Sequence, residues 1–204
     1  MRFCLYSALK AIEVINMSTR DTPLATQNSI IGFRGTSSVG DVIADMQFTR
    51  ARFHAGKVHS GFLRMYESID FDSVECPAIV SGHSMGAALA AIHAYNLAVE
   101  GHNVRVVYLF AAPKFCNKAF KDSYNTLLGE KTFCIQNRND VVTRIPPLPS
   151  YSNVGIHVDC TFDKGSLRDN HDLSEYKNEL LYRYEPFILL KEPLDQLKNA
   201  IVSV

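Results

Sequence analysis

Gly82-His83-Ser84-Met85-Gly86 lies between a short apolar run, Ala78-Ile79-Val80, and a long one rich in small residues, Ala87 to Val99. Strand, sharp turn and helix are the elements this predicts. A Gly-x-Ser-x-Gly in that setting has the form of a nucleophile elbow. The serine stands at the tip of a strained turn, with its hydroxyl exposed. The flanking glycines remove the Cβ atoms that would clash where helix and strand close on each other. The start of the helix points N–H groups and the positive end of its dipole at whatever binds there. A capping serine between two glycines would leave the same five letters, so the pattern draws its weight from the elements on either side.

Working outward, strands and helices alternate. Upstream, Ser29-Ile30-Ile31-Gly32-Phe33 reads as a strand that ends in the turn Arg34-Gly35-Thr36-Ser37-Ser38. Ser18 to Asn28 reads as a polar loop, and Ala8 to Met17 as either helix or strand. Asp41 to Phe48 reads as a short helix, and a second helix follows Val58-His59-Ser60-Gly61-Phe62 through Ile69. Downstream, Ala87 to Val99 is apolar on nearly every face and predicts a buried helix stopped at Glu100-Gly101. Val104 to Phe110 is the continuous apolar run of a strand covered on both faces. Asn117 to Leu128 reads as a helix, Lys131 to Gln136 as a strand, and Gly155 to Phe162 as another. A helix with Leu173, Tyr176, Leu180 and Tyr184 on one face is expected to open at His171, capped by Asp169 or Asn170. Leu194, Leu197 and Ile201 recur at helical spacing in the tail. The predicted fold class is α/β: a compact, mostly parallel central sheet with helices on both faces. The 204 residues suit one such domain, spanning 1–204.

Composition narrows the function. Formal net charge is zero, so nothing calls for nucleic acid. Arg50, Arg52, His54, Lys57 and His59 are mildly basic and read as a solvated face. Cys4, Cys76, Cys116, Cys134 and Cys160 show neither Cys-x-x-Cys nor zinc spacing, and read as buried thiols in a reducing compartment. No apolar run approaches the roughly 18 residues of a membrane span. Met1 to Leu9 lacks a signal-peptide core, so the expected location is cytoplasmic.

A serine hydroxyl needs a base in reach, and the base needs an acid to fix its tautomer. Ligands of such sheets bind at the carboxyl ends of strands. Ser84, Thr36 and Asp140 all follow predicted strands at that end. The hydrolase chain order is Ser, then Asp or Glu, then His. Asp140 is the candidate acid, although a turn residue would look the same. Among the later histidines, His93 lies inside the apolar helix and His102 beyond its stop. His157 and His171 compete for the base, and the loop-to-helix junction favours His171. An oxyanion hole would take the Met85 N–H, next after the nucleophile, and a donor from Arg34-Gly35-Thr36.

Several separated segments resemble the class 3 (fungal-type) lipases, which have an α/β-hydrolase fold. Phe33-Arg34-Gly35-Thr36-Ser37-Ser38 is similar to that family's oxyanion loop, and Val42-Ile43-Ala44-Asp45-Met46 to the segment after it. Val58-His59-Ser60-Gly61-Phe62, Gly82 to Ala90 and Phe110-Ala111-Ala112-Pro113 resemble further family segments. Asn137-Arg138-Asn139-Asp140-Val141-Val142 with Ile145-Pro146-Pro147 looks like the loop that carries the acid. His157-Val158 resembles a non-catalytic segment, which decides for His171. The resemblance implies a Ser84–Asp140–His171 triad, an oxyanion hole of Thr36 and Met85, and Asp45 holding the Thr36 hydroxyl. It implies cleavage of lipid or acyl esters through an acyl-enzyme, with no metal or organic cofactor and with transient contact with lipid surfaces. An inactive lipid-binding module on the same scaffold, or an acyltransferase using the same triad, are the alternatives.

Overall fold

A computed structural model describes residues 3–19, 23–35, 48–71 and 77–189. The elements in chain order are α1 (Leu5–Met17), β1 (Leu24–Gln27), β2 (Ile30–Phe33), β3 (Arg50–Phe53), β4 (Gly56–His59) and α2 (Ser60–Glu67). They continue with β5 (Ile79–His83), α3 (Met85–Val99), β6 (Val106–Phe110), α4 (Lys118–Leu128) and β7 (Thr132–Asn137), then β8 (Ile156–Cys160), α5 (Leu167–His171) and α6 (Leu173–Leu189). Among the described residues a six-stranded sheet runs in the order β1-β2-β5-β6-β7-β8. Only β1 is antiparallel; the pairs from β2 to β8 are parallel. This is the mixed, mostly parallel sheet that the alternating pattern predicts.

The pleat of β6 shows how the layers form, because successive side chains leave a strand on opposite faces. Val107 and Leu109 join the cluster under α2, α3 and α4. Val106, Tyr108 and Phe110 join the one under α1 and α6. Helices therefore cover both faces, and the strand is apolar at every position because neither face meets water. Helix α3 is buried over most of its length, as its all-round apolar sequence requires.

Several local expectations change. Residues 24–27 are an edge strand and not loop: β1 returns on β2 through Asn28 and Ser29, both at positive φ (49° and 59°). Positive φ at both central residues is the type I′ hairpin geometry. The second residue is Ser where that turn prefers Gly, so the usual signal is missing. The segment whose type stayed open is α1; Ala8, Ala11, Ile12 and Ile15 recur on one buried face. The basic stretch is the β3–β4 hairpin, but His59 is buried at its end, where its ring accepts from the Phe62 N–H and caps α2. Cys116, Cys134 and Cys160 are buried, whereas Cys4 is exposed. The expected helices over 41–48 and 194–201 fall wholly or largely outside the described residues, as does Cys76.

Helix α4 carries Phe120, fully buried among Phe53, Tyr95, Phe115 and Tyr124. Phe120→Ala should cost about 3–5 kcal/mol in urea unfolding, because the space cannot close. Tyr182→Ala, at a residue 78% exposed, should change stability by no more than about 0.5 kcal/mol.

Candidate active site

Strand β5 ends at His83, and the chain turns sharply before α3 begins at Met85. Ser84 occupies the turn at φ 59°, ψ −129°, a conformation costing a residue with a side chain about 1–3 kcal/mol. A Cβ on Gly82 would lie 2.1 Å from the Gly86 carbonyl oxygen; one on Gly86 would lie 2.3 Å from that of Phe33. The first glycine lets the turn close on itself. The second lets β2 approach the start of α3. Ser84 is tied back to the sheet by its N–H, which donates to the Phe110 carbonyl at 2.9 Å.

The Ser84 hydroxyl lies 2.7 Å from His171 Nε2, and His171 Nδ1 lies 2.7 Å from Asp140 Oδ2. A carboxylate can only accept, so Nδ1 carries the ring proton and Nε2 is free to accept from the serine. All three are buried, at 4%, 3% and 1% exposure for Ser84, His171 and Asp140. The elements that bring them together are the ends of β5 and β7 and the end of α5. His171 closes that short helix and does not open the next one. The cap of α5 is Ser166, whose Oγ accepts from the Asp169 N–H, while Asp172 accepts from the Ser174 N–H at the start of α6. Asn170 is instead buried, with its side chain bonded to the Lys164 N–H and to Asp163.

Three residues that the sequence did not single out hold this chain in place. Tyr176 donates its hydroxyl to Asp140 Oδ2 at 2.8 Å and accepts from the Asn137 N–H at 2.9 Å. Burial, then the neighbouring Asp140, hold its phenol well above the usual range, so it remains a donor. Asp140 Oδ1 accepts from the Val142 N–H, so the buried carboxylate has donors on both oxygens. Asn137 bonds through its amide to the Asn170 carbonyl, tying β7 to the segment that carries His171. His83 donates its Nε2–H to the His171 carbonyl at 2.8 Å. Burial, followed by the nearby His171, pushes the His83 ring down to about 3, so it stays neutral. Its signal was its place inside the elbow. Tyr176 was legible only as one residue of an apolar helix face.

Of the two residues expected to form an oxyanion hole, Met85 falls within the described residues. Met85 is the first residue of α3, so its N–H has no partner within the helix. Gly35 packs directly against the nucleophile: a Cβ there would lie 2.7 Å from Ser84 Cβ. The start of the loop after β2 thus reaches the serine. Thr36 and Asp45 lie outside the described residues. The rival histidine, His157, is on exposed β8 and bonds to Gln136. His93 is a core residue, stacked on Phe71 at 4.5 Å, and burial pushes its ring down to about 4. No group of His, Cys, Asp or Glu among the described residues is arranged to hold a metal.

Sheet, elbow and charge chain define an α/β-hydrolase-type scaffold with a Ser–His–Asp network. The chain belongs to the class 3 lipases, whose profile, described as Lipase (class 3), matches residues 30–150. That match holds Ser84 and Asp140; His171 lies beyond it and joins them through the fold. Phospholipase A1-II 6 of Oryza sativa subsp. japonica is 28% identical over 181 residues, covering 66% of this chain and 44% of its own. A secreted mono- and diacylglycerol lipase, MDL3 of Malassezia globosa, is 28% identical over 144 residues, covering 59% of this chain and 47% of its own. Lip2 lipase of Yarrowia lipolytica superposes with a TM-score of 0.56 at 28% identity, over 66% of this chain and 60% of that one. The chain spans about half the length of the curated relatives it matches.

The neutral rings of His83 and His93 carry a pH signature. Below about pH 6.5 the unfolded chain takes up protons on both, while the folded chain holds them off until about 3 and 4. Their contribution to stability is intact above pH 6.5 and is lost as pH falls toward those values. Urea midpoints at pH 7, 5 and 4 should fall less steeply for His93→Gln than for wild type. The difference should approach one proton, about 1.4 kcal/mol per pH unit.

Proposed function

We propose that this protein is a carboxylic-ester hydrolase of lipid or acyl esters, working through an acyl-enzyme on Ser84. The observation that carries the reading is the unbroken pair of 2.7 Å hydrogen bonds from Ser84 through His171 to Asp140. Similarity to a phospholipase A1 and to a mono- and diacylglycerol lipase supports a glycerolipid acyl ester as the substrate class.

In this mechanism Ser84 Oγ bonds to the acyl carbon as its proton passes to His171 Nε2. The carbonyl oxygen becomes an oxyanion facing the Met85 N–H, and Thr36 is assigned as the second donor. Asp45 is assigned to orient the Thr36 hydroxyl. The ester C–O bond then breaks, and the alcohol leaves with the proton from His171. Water attacks the acyl-enzyme by the same path. The carboxylic acid departs, and the Ser84 hydroxyl regains its proton. Asp140 stays ionised and stabilises the charge on His171 in both halves. Among the described residues no helix is long and apolar enough to cross a membrane.

A fluorophosphonate probe should label wild type and leave Ser84→Ala unlabelled. On a short-chain nitrophenyl ester, Asp140→Asn should lose roughly 10⁴-fold in kcat, and His171→Ala should lose at least as much. His157→Ala should retain most turnover. Absence of labelling in folded wild type would favour the inactive lipid-binding alternative. Ester products formed in added glycerol would favour acyl transfer.

A further inference from the structure

An open cavity of about 240 Å³ lies beside the triad, on the histidine side, and the reaction leaves its use open. His171 and Gly35 both line it, and Gly35 packs against Ser84, so the cavity borders the reacting centre. Its position has a chemical meaning. His171 gives its proton to the departing alcohol, so the alcohol half of an ester must sit next to His171. The cavity is therefore on the leaving-group side.

Its lining fits an anion. Arg34, from the loop after β2, and Arg168, from α5, reach it from different elements. Arg34 also donates from Nη1 to the Ser18 carbonyl, which fixes one side of its guanidinium. Arg168 is exposed and lies near enough to Asp172 to act on its charge. His83 lines the wall and is neutral, adding no charge. One carboxylate, Asp172, is present, and Ser174 holds it through both N–H and hydroxyl. Against one carboxylate the two guanidiniums leave a single net positive charge in the cavity. A phosphodiester carries one negative charge, and a guanidinium matches its paired oxygens with parallel hydrogen bonds. The volume is below the roughly 300–1,000 Å³ of pockets for drug-sized ligands, so it suits a headgroup and not an acyl chain.

We propose that this cavity receives the phosphodiester headgroup of a glycerophospholipid whose acyl ester is held at Ser84. The assignment rests on the ester-hydrolase reading and narrows its substrate. Arg34 and Arg168 bind the phosphate oxygens and hold the glycerol backbone so that its ester oxygen faces His171 Nε2. A neutral glyceride gains nothing from either guanidinium.

The test uses three monomeric substrates with the same short acyl chain: a lysophosphatidylglycerol, a monoacylglycerol and a monoacyl galactosylglycerol. Wild type should show a kcat/KM about tenfold or more higher for the phospholipid than for either neutral ester, the scale of one charge-assisted contact. Rising salt should shrink that ratio, because Arg168 is exposed. Arg168→Ala should lower the ratio about tenfold and Arg168→Glu further, while Arg168→Lys should retain part of it. Working with ratios cancels any general loss of activity or folded protein. Equal use of the three esters, preference for the galactosyl ester, or a ratio indifferent to Arg168 would overturn the headgroup assignment and leave the hydrolase reading standing. Failure to cleave any of them would sink both. Glycerophosphoglycerol should compete with the phospholipid; inorganic phosphate competing equally well would mark a site for free anion and overturn the lipid assignment.

Discussion

Three stretches of backbone come closer together at the head of β5 than any side chain would allow. The turn at Gly82 folds onto Gly86, and Gly86 packs beneath the Phe33 carbonyl. That crowding leaves Ser84 no relaxed conformation, and its φ of 59° follows. The strain persists because the surroundings over-determine it. β5 is paired on both sides, and α3 is buried from Met85 through Tyr95. An elbow held by a looser helix would relax, and the hydroxyl would turn away from His171.

The second constraint is electrostatic. Asp140 is nearly inaccessible to water, so its charge must be met by donors. The Val142 N–H, the Tyr176 hydroxyl and the His171 ring supply them. His171 is gripped at its ring by Asp140 and at its carbonyl by His83. The neutrality of His83 matters for the proposed reaction. The two rings are 4.8 Å apart, and a charged His83 would oppose the proton that acyl transfer places on His171. Burial resolves the conflict by keeping His83 a donor without a charge.

What could be read from residues alone divides along physical lines. The α/β class, the buried α3 and the elbow were legible because period, apolar runs and a five-residue motif are local signals. So was Asp140, one turn beyond a strand end. Choosing His171 over His157 needed more than position, since either followed the acid in chain order; the fold separates them by leaving His157 on an exposed edge strand. β1 was hidden because its turn, Asn28-Ser29, lacks glycine. The α5–α6 break at His171-Asp172 was hidden because a short helix followed by a capped one reads as a single helix. Tyr176, Asn137 and His83 were not legible as a set, because their roles arise from contacts between elements 33 to 88 residues apart.

The strand order explains why the histidine had to come from a separate segment. β5 and β7 flank β6, so the strand ends bearing Ser84 and Asp140 are two spacings apart, about 9.5 Å. No direct hydrogen bond crosses that gap. An imidazole with a 2.7 Å bond at each nitrogen does, provided its ring lies over the end of β6. A residue from β6 itself would have to rise out of a fully buried strand. The chain therefore runs out through β8, at the sheet's far edge, and returns through α5. Asn137, reaching from the end of β7 to the Asn170 carbonyl, fixes where that return lands. The cavity lined by Arg34 and Arg168 follows from the same detour, since it is bounded by the returning segment on one side and the loop after β2 on the other.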